Sequence, residues 1–302
     1  MRDEGRGFAY GVAAYGLWGI FPLYWPLLEP AGAIEILAHR VLWSLLTVAL
    51  VVLVLRRTTA VRAVFADRRA RLILLGAAAV ISVNWGGYIW GVNNDRVVET
   101  SLGYFINPLV TVLMGVVVLG ERLRRIQILA VGLATVAVVV LTIDYGRPPW
   151  IALLLAFSFA TYGLAKKKAD VDAVESLAVE TVYIAPIAAA YVGWLIWQGS
   201  ASFGNEGPGH AALFATTGIV TVIPLLCFGA AAVRVSLVTI GLLQYIAPIL
   251  QFALGVLWYH EPMPASRWIG FVLVWIALVL FTYEAATHRR RQLRETAESV
   301  AL

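Results

Sequence analysis

Residues 101–121 read SLGYFINPLVTVLMGVVVLGE, and residues 241–261 read GLLQYIAPILQFALGVLWYHE. Both stretches are apolar over the length of about 20 residues that a membrane-spanning helix needs. Each carries a proline with polar neighbours in its middle. Three matching pairs of residues lie 140 positions apart: Pro108 and Pro248, Gly115 and Gly255, and Glu121 and Glu261. The chain is therefore predicted to contain two copies of one unit.

The composition excludes an ordinary soluble domain. Of 302 residues, 61% are hydrophobic and 14% are charged, whereas soluble domains have roughly 45–50% apolar and about 25% charged residues. The net charge of +5 is spread between apolar segments, which favours control of membrane topology over a nucleic-acid-binding surface. We expect a lipid bilayer around the chain and no nucleic acid as a partner.

Ten segments are long and apolar enough to cross a membrane: residues 8–28, 33–55, 71–92, 97–119, 124–143, 148–167, 178–197, 211–231, 236–258 and 265–285. Because each repeat holds five spans, the second repeat enters the membrane from the opposite side. We predict an all-α integral membrane protein with ten transmembrane helices as two inverted five-helix repeats, an arrangement common in secondary transporters. The predicted units are the first repeat at 1–145, the second at 146–287, and a cytoplasmic basic tail at 288–302.

The distribution of lysine and arginine predicts the orientation. With the N-terminus in the cytoplasm, 19 of the 23 Lys and Arg residues fall in cytoplasmic segments, three fall outside, and Arg40 lies within a span. Cytoplasmic segments of membrane proteins are rich in these residues. Both termini of this multi-pass protein are therefore predicted to be cytoplasmic.

The second predicted span contains ionisable residues, which are costly at membrane depth and therefore candidates for function. Glu35 and His39 are four residues apart and share a helix face, and Arg40 follows. One interpretation places Glu35 and His39 at the outer interface and pairs Arg40 internally. The other places Arg40 in a water-filled cavity, where its planar fork binds an anionic group such as a carboxylate.

Two further spans carry polar side chains at helical spacing. Asn84 and Tyr88 share a face of the third span, and Tyr104 and Asn107 form a stripe on the fourth. The second copy of that stripe holds Gln244 and Tyr245. Proline removes a backbone donor inside a helix, and either close packing or a cavity lining would accommodate the freed carbonyls. Because both repeats have the proline with polar neighbours, we expect a cavity, with Pro108 and Pro248 as gating kinks.

The 140-residue offset aligns Arg40 with Glu180, so a cation in one repeat matches an anion in the other. We expect the two side chains to lie on opposite sides of the midplane and to recognise a polar or amphoteric substrate. A buried glutamate also holds a proton more readily, so Glu180 is a candidate proton carrier. Glu121 stands among Arg122, Arg124 and Arg125, where we expect a structural ion pair.

Several motifs are absent from the sequence. It has no G-x-x-x-x-G-K-[ST] nucleotide loop, no G-x-S-x-G elbow and no HExxH zinc motif. His260 and Glu261 are adjacent, which is a weak signal for a metal or an acid–base pair. We therefore expect no enzyme activity, no metal and no cofactor, and a transport process driven by an ion gradient or by the substrate's own gradient.

Five runs resemble the RarD branch of the EamA family, within the drug/metabolite transporter superfamily: LAHRVLWS at 37–44, NWGGYIW at 84–90, NNDRVVETSLGYFINPL at 93–109, LGERL at 119–123 and LLQYIAP at 242–248. The resemblance implies a ten-helix inverted-repeat transporter of the bacterial inner membrane. Members of this branch are often named for chloramphenicol sensitivity or resistance. No set of binding residues is carried over from the family.

We accordingly expect a secondary transporter that exports a small polar metabolite or a drug-like compound, by alternating access. A passive exchanger without proton coupling, a lipid-handling protein or membrane enzyme using Glu180 or His39, and a membrane subunit that pairs its polar groups with a partner chain are the alternatives. A small-molecule substrate is the expected partner, and a proton and a second copy of the chain are further candidates. The predicted cavity residues are Arg40, His39, Asn84, Tyr88, Tyr104, Asn107, Glu180, Gln244 and Tyr245.

Overall fold

The computed structural model describes residues 2–120 and 123–300, and it describes only the backbone of residues 2, 119, 237, 238 and 288–300. The regular structure in these residues is helical. The helices are α1 (Arg2–Gly19), α2 (Ala33–Val54), α3 (Thr58–Ala66), α4 (Arg68–Val92), α5 (Val97–Leu119), α6 (Arg125–Tyr145), α7 (Trp150–Ala169), α8 (Ala173–Gln198), α9 (Pro208–Ala232), α10 (Leu237–Leu243), α11 (Ile246–Leu257) and α12 (Ala265–Val300). Two 3-10 turns, Phe21–Leu23 and Trp25–Leu28, join α1 to α2.

Eight helical segments in the described residues are long and apolar enough to span a membrane, with α10 and α11 counted together as Thr239–Leu257. Helices α1 and α7 bring the number to ten. Both have the length of a span but end in charged residues, which lowers their hydropathy: Arg2, Asp3 and Glu4 begin α1, and lysines 166–168 end α7. The prediction of an all-α membrane protein with ten transmembrane helices is confirmed.

Two predicted spans are interrupted by proline. The span predicted at 8–28 ends its α-helix at Gly19, and Pro22 and Pro26 then occupy the two 3-10 turns. The span predicted at 236–258 breaks at Gln244 and Tyr245, between α10 and α11. Pro248 lies four residues after Gln244, and a proline ring clashes with the carbonyl four residues earlier. The α-helix in the first of these spans is therefore shorter than expected, whereas the break in the second lies next to Pro248, where a kink is expected.

Helix boundaries repeat at a constant interval. Four pairs of helices begin 140 residues apart: α2 and α8, α4 and α9, α5 and α10, and α6 and α12. The packing follows the same relation, because α4 packs on α7 as α9 packs on α1, and α5 packs on α7 as α11 packs on α1. Three further contacts join equivalent helices, namely α2 with α8, α5 with α11 and α6 with α12. The two units are thus related by a pseudo-two-fold axis.

The helix order gives the bundle two sides. We call side A the side with the α4–α5, α6–α7, α8–α9 and α11–α12 connections, and side B the opposite one. The largest buried cluster lies between α5, α6, α7 and α12 and includes Leu102, Leu141 and Phe271. A second cluster, near side A, surrounds Trp25 and Phe214. Between these clusters, α2, α4, α5 and α9 enclose polar side chains.

Candidate functional site

Arg40 is buried in the middle of the bundle. It lies on the second turn of α2 and only 4% of it is exposed. Its Nε donates a hydrogen bond to Thr221 Oγ1 of α9 at 2.9 Å. The guanidinium carbon lies 4.0 Å from the ring centroid of Trp85 and 5.0 Å from that of Trp25. Aromatic faces attract a guanidinium, so four elements of the fold converge on this one charge.

No carboxylate among the described residues forms an ion pair with Arg40. Its titratable neighbours are Tyr24, Tyr88 and Tyr104, whose hydroxyls are uncharged at neutral pH. A buried charge is normally paired because desolvation is expensive. The interpretation in which Arg40 pairs internally with an acid therefore finds no partner in the part of the chain described.

Asn84 and the two predicted tyrosines lie together next to Arg40. Asn84 Nδ2 donates to Leu155 O at 3.0 Å and to Ser158 Oγ at 2.9 Å, and its Oδ1 accepts from the Tyr104 hydroxyl at 3.2 Å. The rings of Tyr88 and Tyr104 meet edge to face at 5.7 Å. These contacts hold α4, α5 and α7 in register on one side of Arg40.

Some buried polar atoms near this cluster have no hydrogen-bond partner. They include the Tyr88 hydroxyl, Trp25 Nε1 and Gln251 Oε1. Gln251 donates through its other amide atom to Trp18 O at 3.1 Å. The Tyr88 hydroxyl lies beside the side chain of Gln251, so a small adjustment would pair these two groups. Buried polar atoms are normally satisfied, and the free edge of Arg40 is therefore the stronger indication of a place for a ligand.

His39 lies away from this cluster. Its ring stacks between Phe203 and Phe214, each with its centroid 4.6 Å away. One turn earlier, Glu35 accepts backbone hydrogen bonds from Ser202 at 2.7 Å and Phe203 at 3.2 Å. The structure thus places His39 in an aromatic packing contact beneath the α8–α9 loop.

Glu180 is paired within its own repeat. Its carboxylate lies 3.0 Å from Lys166 Nζ and accepts a hydrogen bond from the Tyr162 hydroxyl at 3.1 Å. Lys166 also contacts Ser176 Oγ. Lys166 lies in the last turn of α7, and its Nζ reaches α8. Arg40 and Glu180 are equivalent by position, but only Glu180 has an oppositely charged neighbour in the described residues.

The remaining predicted residues lie on or next to the two helices that contain Pro108 and Pro248. Tyr245 packs towards α12, with its hydroxyl 3.4 Å from Thr282 Oγ1, and so lies apart from Arg40. Gln244 is half-buried at the α10–α11 break. Asn107 is half-buried and its Oδ1 has no hydrogen-bond partner. Pro248 coincides with a helix break, whereas α5 continues as one helix through Pro108.

Four members of the central cluster were missed or left undecided by sequence reasoning. Thr221, Trp25 and Gln251 were not singled out, and the position of Trp85 in the third span fits either a pocket residue or an interface anchor. Isolated threonine and tryptophan residues are frequent in spanning helices, so their sequence positions carry little signal. The ion pair expected at Glu121 lies outside the described residues, as do Glu121 and Arg122. Arg124 pairs with Glu284 at 2.8 Å.

Acidic side chains close side A across the two repeats. Glu261 accepts backbone hydrogen bonds from Val97 and Val98, the first residues of α5. Glu99 accepts from the backbone of Ile151 at 3.1 Å and pairs with Arg147 at 2.7 Å. Carboxylates at helix N-termini satisfy free N–H groups and the helix dipole. His260 and Glu261 form no metal cluster, and the described residues contain no group of three potential metal ligands.

On side B a cavity of about 620 Å³ opens between the start of α1 and α10. Phe8, Leu242 and Ile246 line it, and Glu4 lies at its edge. The residues around Arg40 do not line this cavity. The cleft thus lies at side B, next to the start of α1 and α10.

Ten spanning helices in two pseudo-symmetric units, around a central polar cluster, define a multi-pass membrane transporter fold. The chain belongs to the EamA-like transporter family, which it matches over residues 5–143 and again over 148–283. This result also confirms the resemblance to the RarD branch, since several curated relatives carry that name. The two matches correspond to the two five-helix units.

Relatives with similarity along the whole chain come from several bacteria. The protein RarD of Streptomyces exfoliatus is 59% identical over 96% of this chain and 92% of its own length. The uncharacterized transporter YojE of Bacillus subtilis is 40% identical, covering 94% and 96%. The chloramphenicol-sensitive protein RarD of Pseudomonas aeruginosa is 32% identical, covering 97% and 99%. One crystal structure, 18% identical, superposes with a TM-score of 0.62 over 93% of this chain and 98% of its own, which shows the same fold.

Proposed function

We propose that this protein is a secondary transporter that exports a small polar metabolite or a drug-like compound by alternating access. The substrate would bind around Arg40, between the two repeats. One observation carries the proposal: a fully buried guanidinium, in a member of a transporter family, without an acidic partner in the described residues. In inverted-repeat transporters the substrate site lies near the midplane at the repeat interface.

The proposal includes an orientation. With both termini in the cytoplasm of a bacterial inner-membrane protein, side A faces outwards and side B faces the cytoplasm. The acidic caps at side A and the 620 Å³ cleft at side B then suit a state closed to the outside. A small-molecule substrate would enter from the cytoplasm. The unit boundaries at 1–145, 146–287 and 288–302 belong to the same proposal.

The proposal also covers how transport is coupled to an energy source and whether the protein forms a dimer. The Lys166–Glu180 pair, at 3.0 Å, is the buried acid–base pair best suited to carry a proton during transport. A second copy of the chain is a further candidate partner. A passive exchanger would make no use of the proton gradient, and a lipid-handling protein would bind a headgroup at Arg40 without moving it across the membrane.

Chloramphenicol is included among the test compounds because one relative is named for sensitivity to it. The compound carries no charge at neutral pH, so it would leave the charge of Arg40 uncompensated. We therefore rank charged metabolites ahead of it as substrates.

The test is transport by the purified protein in proteoliposomes. The panel holds amino acids, organic acids, nucleosides, amines and chloramphenicol, each with and without a protonophore. Binding is followed in parallel by thermal stability, since a ligand at 100 times its dissociation constant stabilises the folded state by about 2.7 kcal/mol. Uptake that is lost in Arg40→Ala supports the proposal. If the folded protein neither binds nor transports any compound of the panel, the proposal is contradicted.

A further inference from the structure

The guanidinium of Arg40 has one edge occupied and one edge free. Nε donates to Thr221 Oγ1 at 2.9 Å, so the side edge of the group is held by α9. Within the described residues, Nη1 and Nη2 donate to no other group. The free N–H bonds on these two nitrogens form a parallel end-on fork, whose spacing matches the two oxygens of a carboxylate.

The orientation of this fork is fixed by aromatic rings. Trp85 lies 4.0 Å from the guanidinium carbon, and Trp25 and Phe21 lie at 5.0 and 6.0 Å. A ring over the face of a guanidinium leaves only its edges for hydrogen bonds. A planar anion approaching the free edge therefore lies in the plane of the guanidinium, which is the geometry of a bidentate arginine–carboxylate pair.

The charges around the site limit the charge of the ligand. Among the described residues of this cluster, Arg40 is the one cation. Its titratable neighbours are tyrosines. Lys166, a possible second cation, is already paired with Glu180 at 3.0 Å. A ligand with a single negative charge would neutralise Arg40. A phosphate or a dicarboxylate would bring a second negative charge, and the described side chains of the site offer no further cation to pair with it. Burying an unpaired charge is costly.

The side chains around Arg40 indicate the chemistry of the rest of the ligand. Phe21, Trp25, Trp85 and Tyr104 present apolar and aromatic surface on several sides of Arg40. The Tyr88 hydroxyl lies beside the side chain of Gln251, so it has a neighbour within the chain. The surface around Arg40 suits an apolar or aromatic body.

We propose that the substrate is an organic monocarboxylate with an apolar or aromatic body, bound through the end-on fork of Arg40. This inference rests on the proposed transport function and names its substrate class. Thr221 acts as a positioning residue, because its hydroxyl occupies Nε and leaves the end-on fork for the ligand.

Thermal stabilisation of the purified protein by matched probes tests the class. Benzoate, 3-phenylpropionate and indole-3-acetate are the monocarboxylates. Benzamide, benzylamine and phenyl phosphate keep an aromatic body and replace the monoanion by a neutral group, a cation and a dianion. At least one monocarboxylate should stabilise the protein, and each replacement should bind at least about tenfold more weakly, since a hydrogen-bonded charge contributes about that factor.

Variants of the site separate the fork from the charge. Arg40→Lys keeps the positive charge and loses the fork, so monocarboxylate affinity should fall about tenfold or more. Thr221→Val should weaken affinity by a smaller factor, and Thr221→Ser should restore it. Equal binding of benzoate and benzamide, or affinity unchanged in Arg40→Lys, would overturn the inference.

The outcomes also distinguish this inference from the transport function. If amines or nucleosides are transported and no monocarboxylate binds, the protein remains a transporter and the substrate class is wrong. If a monocarboxylate binds at Arg40 but is never transported, the class stands and the transport function fails. Tight binding of phenyl phosphate in preference to benzoate would overturn the single-charge argument.

Discussion

The carboxylate of Glu261 accepts hydrogen bonds from the backbone N–H of Val98 at 3.1 and 3.2 Å. Glu261 follows α11 in the second repeat, and Val98 lies in the first turn of α5 in the first repeat. A negative charge at this place lies at the positive end of the α5 dipole. A side chain of one repeat thus caps a helix of the other at side A.

This contact predicts a pH dependence of stability. Burial raises the pKa of Glu261 to about 7, from an ordinary value of 4.5, with a smaller increase from Asp95, although the N–H groups of Val98 and Val97 and the charge of Arg267 oppose the shift. Because the folded pKa lies above the unfolded one, the folded state holds more protons between about pH 4.5 and 7. The contribution of Glu261 to the free energy of unfolding should therefore fall as pH rises through this window.

Glu261→Gln should flatten that slope, since glutamine does not titrate. The measurement is the unfolding free energy in detergent as a function of pH. His260→Asn is the control, because it removes the neighbouring imidazole at a position with φ of 52°, which asparagine tolerates. The same slope in Glu261→Gln and in the wild type would assign the pH dependence to another group.

Most of the fold could be predicted because membrane spans have a strong sequence signal. Apolar runs of about 20 residues and the 140-residue offset gave the ten helices and their pairing. A kink at Pro248 was expected, but the end of α1 at Gly19 and the full break between α10 and α11 were not. A hydropathy profile does not register the missing N–H groups of Pro22 and Pro26. It also does not register the clash between the Pro248 ring and the Gln244 carbonyl. Helix α3 was also missed, since nine residues with Arg62 among them read as a charged loop.

The site could be predicted only in part. Arg40 was found because any charge in a span is conspicuous, and Asn84, Tyr88 and Tyr104 were found because they share helix faces. Thr221 lies on α9, 181 residues further along the chain than Arg40, and only tertiary packing brings the two together. Whether Arg40 and Glu180 have partners is likewise a property of the packed helices. Sequence position alone suggested that they were equivalent.

The Lys166–Glu180 pair predicts strong coupling between two substitutions. Glu180 is almost fully buried, and Lys166 is 22% exposed at its side chain. Glu180→Gln or Lys166→Met alone leaves a buried charge without its partner, which should cost about 3–5 kcal/mol of unfolding free energy. The double variant removes both charges and should recover much of that loss. A double-mutant cycle from chemical denaturation measures the coupling.

The same cycle bears on proton coupling. If Glu180 carries a proton, Glu180→Gln should also abolish the pH dependence of transport, whereas a structural pair would change stability alone. Additive effects of the two substitutions would show that the pair does not interact.

Close helix packing predicts different responses at two glycines. In α9, a methyl group on Gly218 would overlap the Trp43 carbonyl oxygen of α2, whereas a methyl on Gly132 of α6 would meet no atom within 4 Å. Gly218→Ala should destabilise the fold by about 1–3 kcal/mol, because α2 and α9 would have to separate. Gly132→Ala should be neutral or stabilise by up to about 1 kcal/mol. Since α2 and α9 carry Arg40 and Thr221, Gly218→Ala should also lower substrate affinity.

Arg40 itself predicts a trade-off between stability and function. In the absence of a ligand its charge is buried without an acidic partner in the described residues, so the free protein bears a desolvation cost. Arg40→Met fills a similar volume without a charge, and it should raise the unfolding free energy of the ligand-free protein by about 1 kcal/mol or more. The same substitution should abolish stabilisation by ligand.

The matched control for this substitution is Trp85→Phe, which keeps the charge of Arg40 and replaces its nearest aromatic neighbour by a smaller ring. Trp85→Phe should lower stability through lost packing and weaken ligand binding only in part. Thermal unfolding of both variants, with and without ligand, makes the comparison. A large loss of stability in ligand-free Arg40→Met would mean that the guanidinium is a structural group already satisfied by Thr221 and the aromatic rings, and the site would then lose its main support.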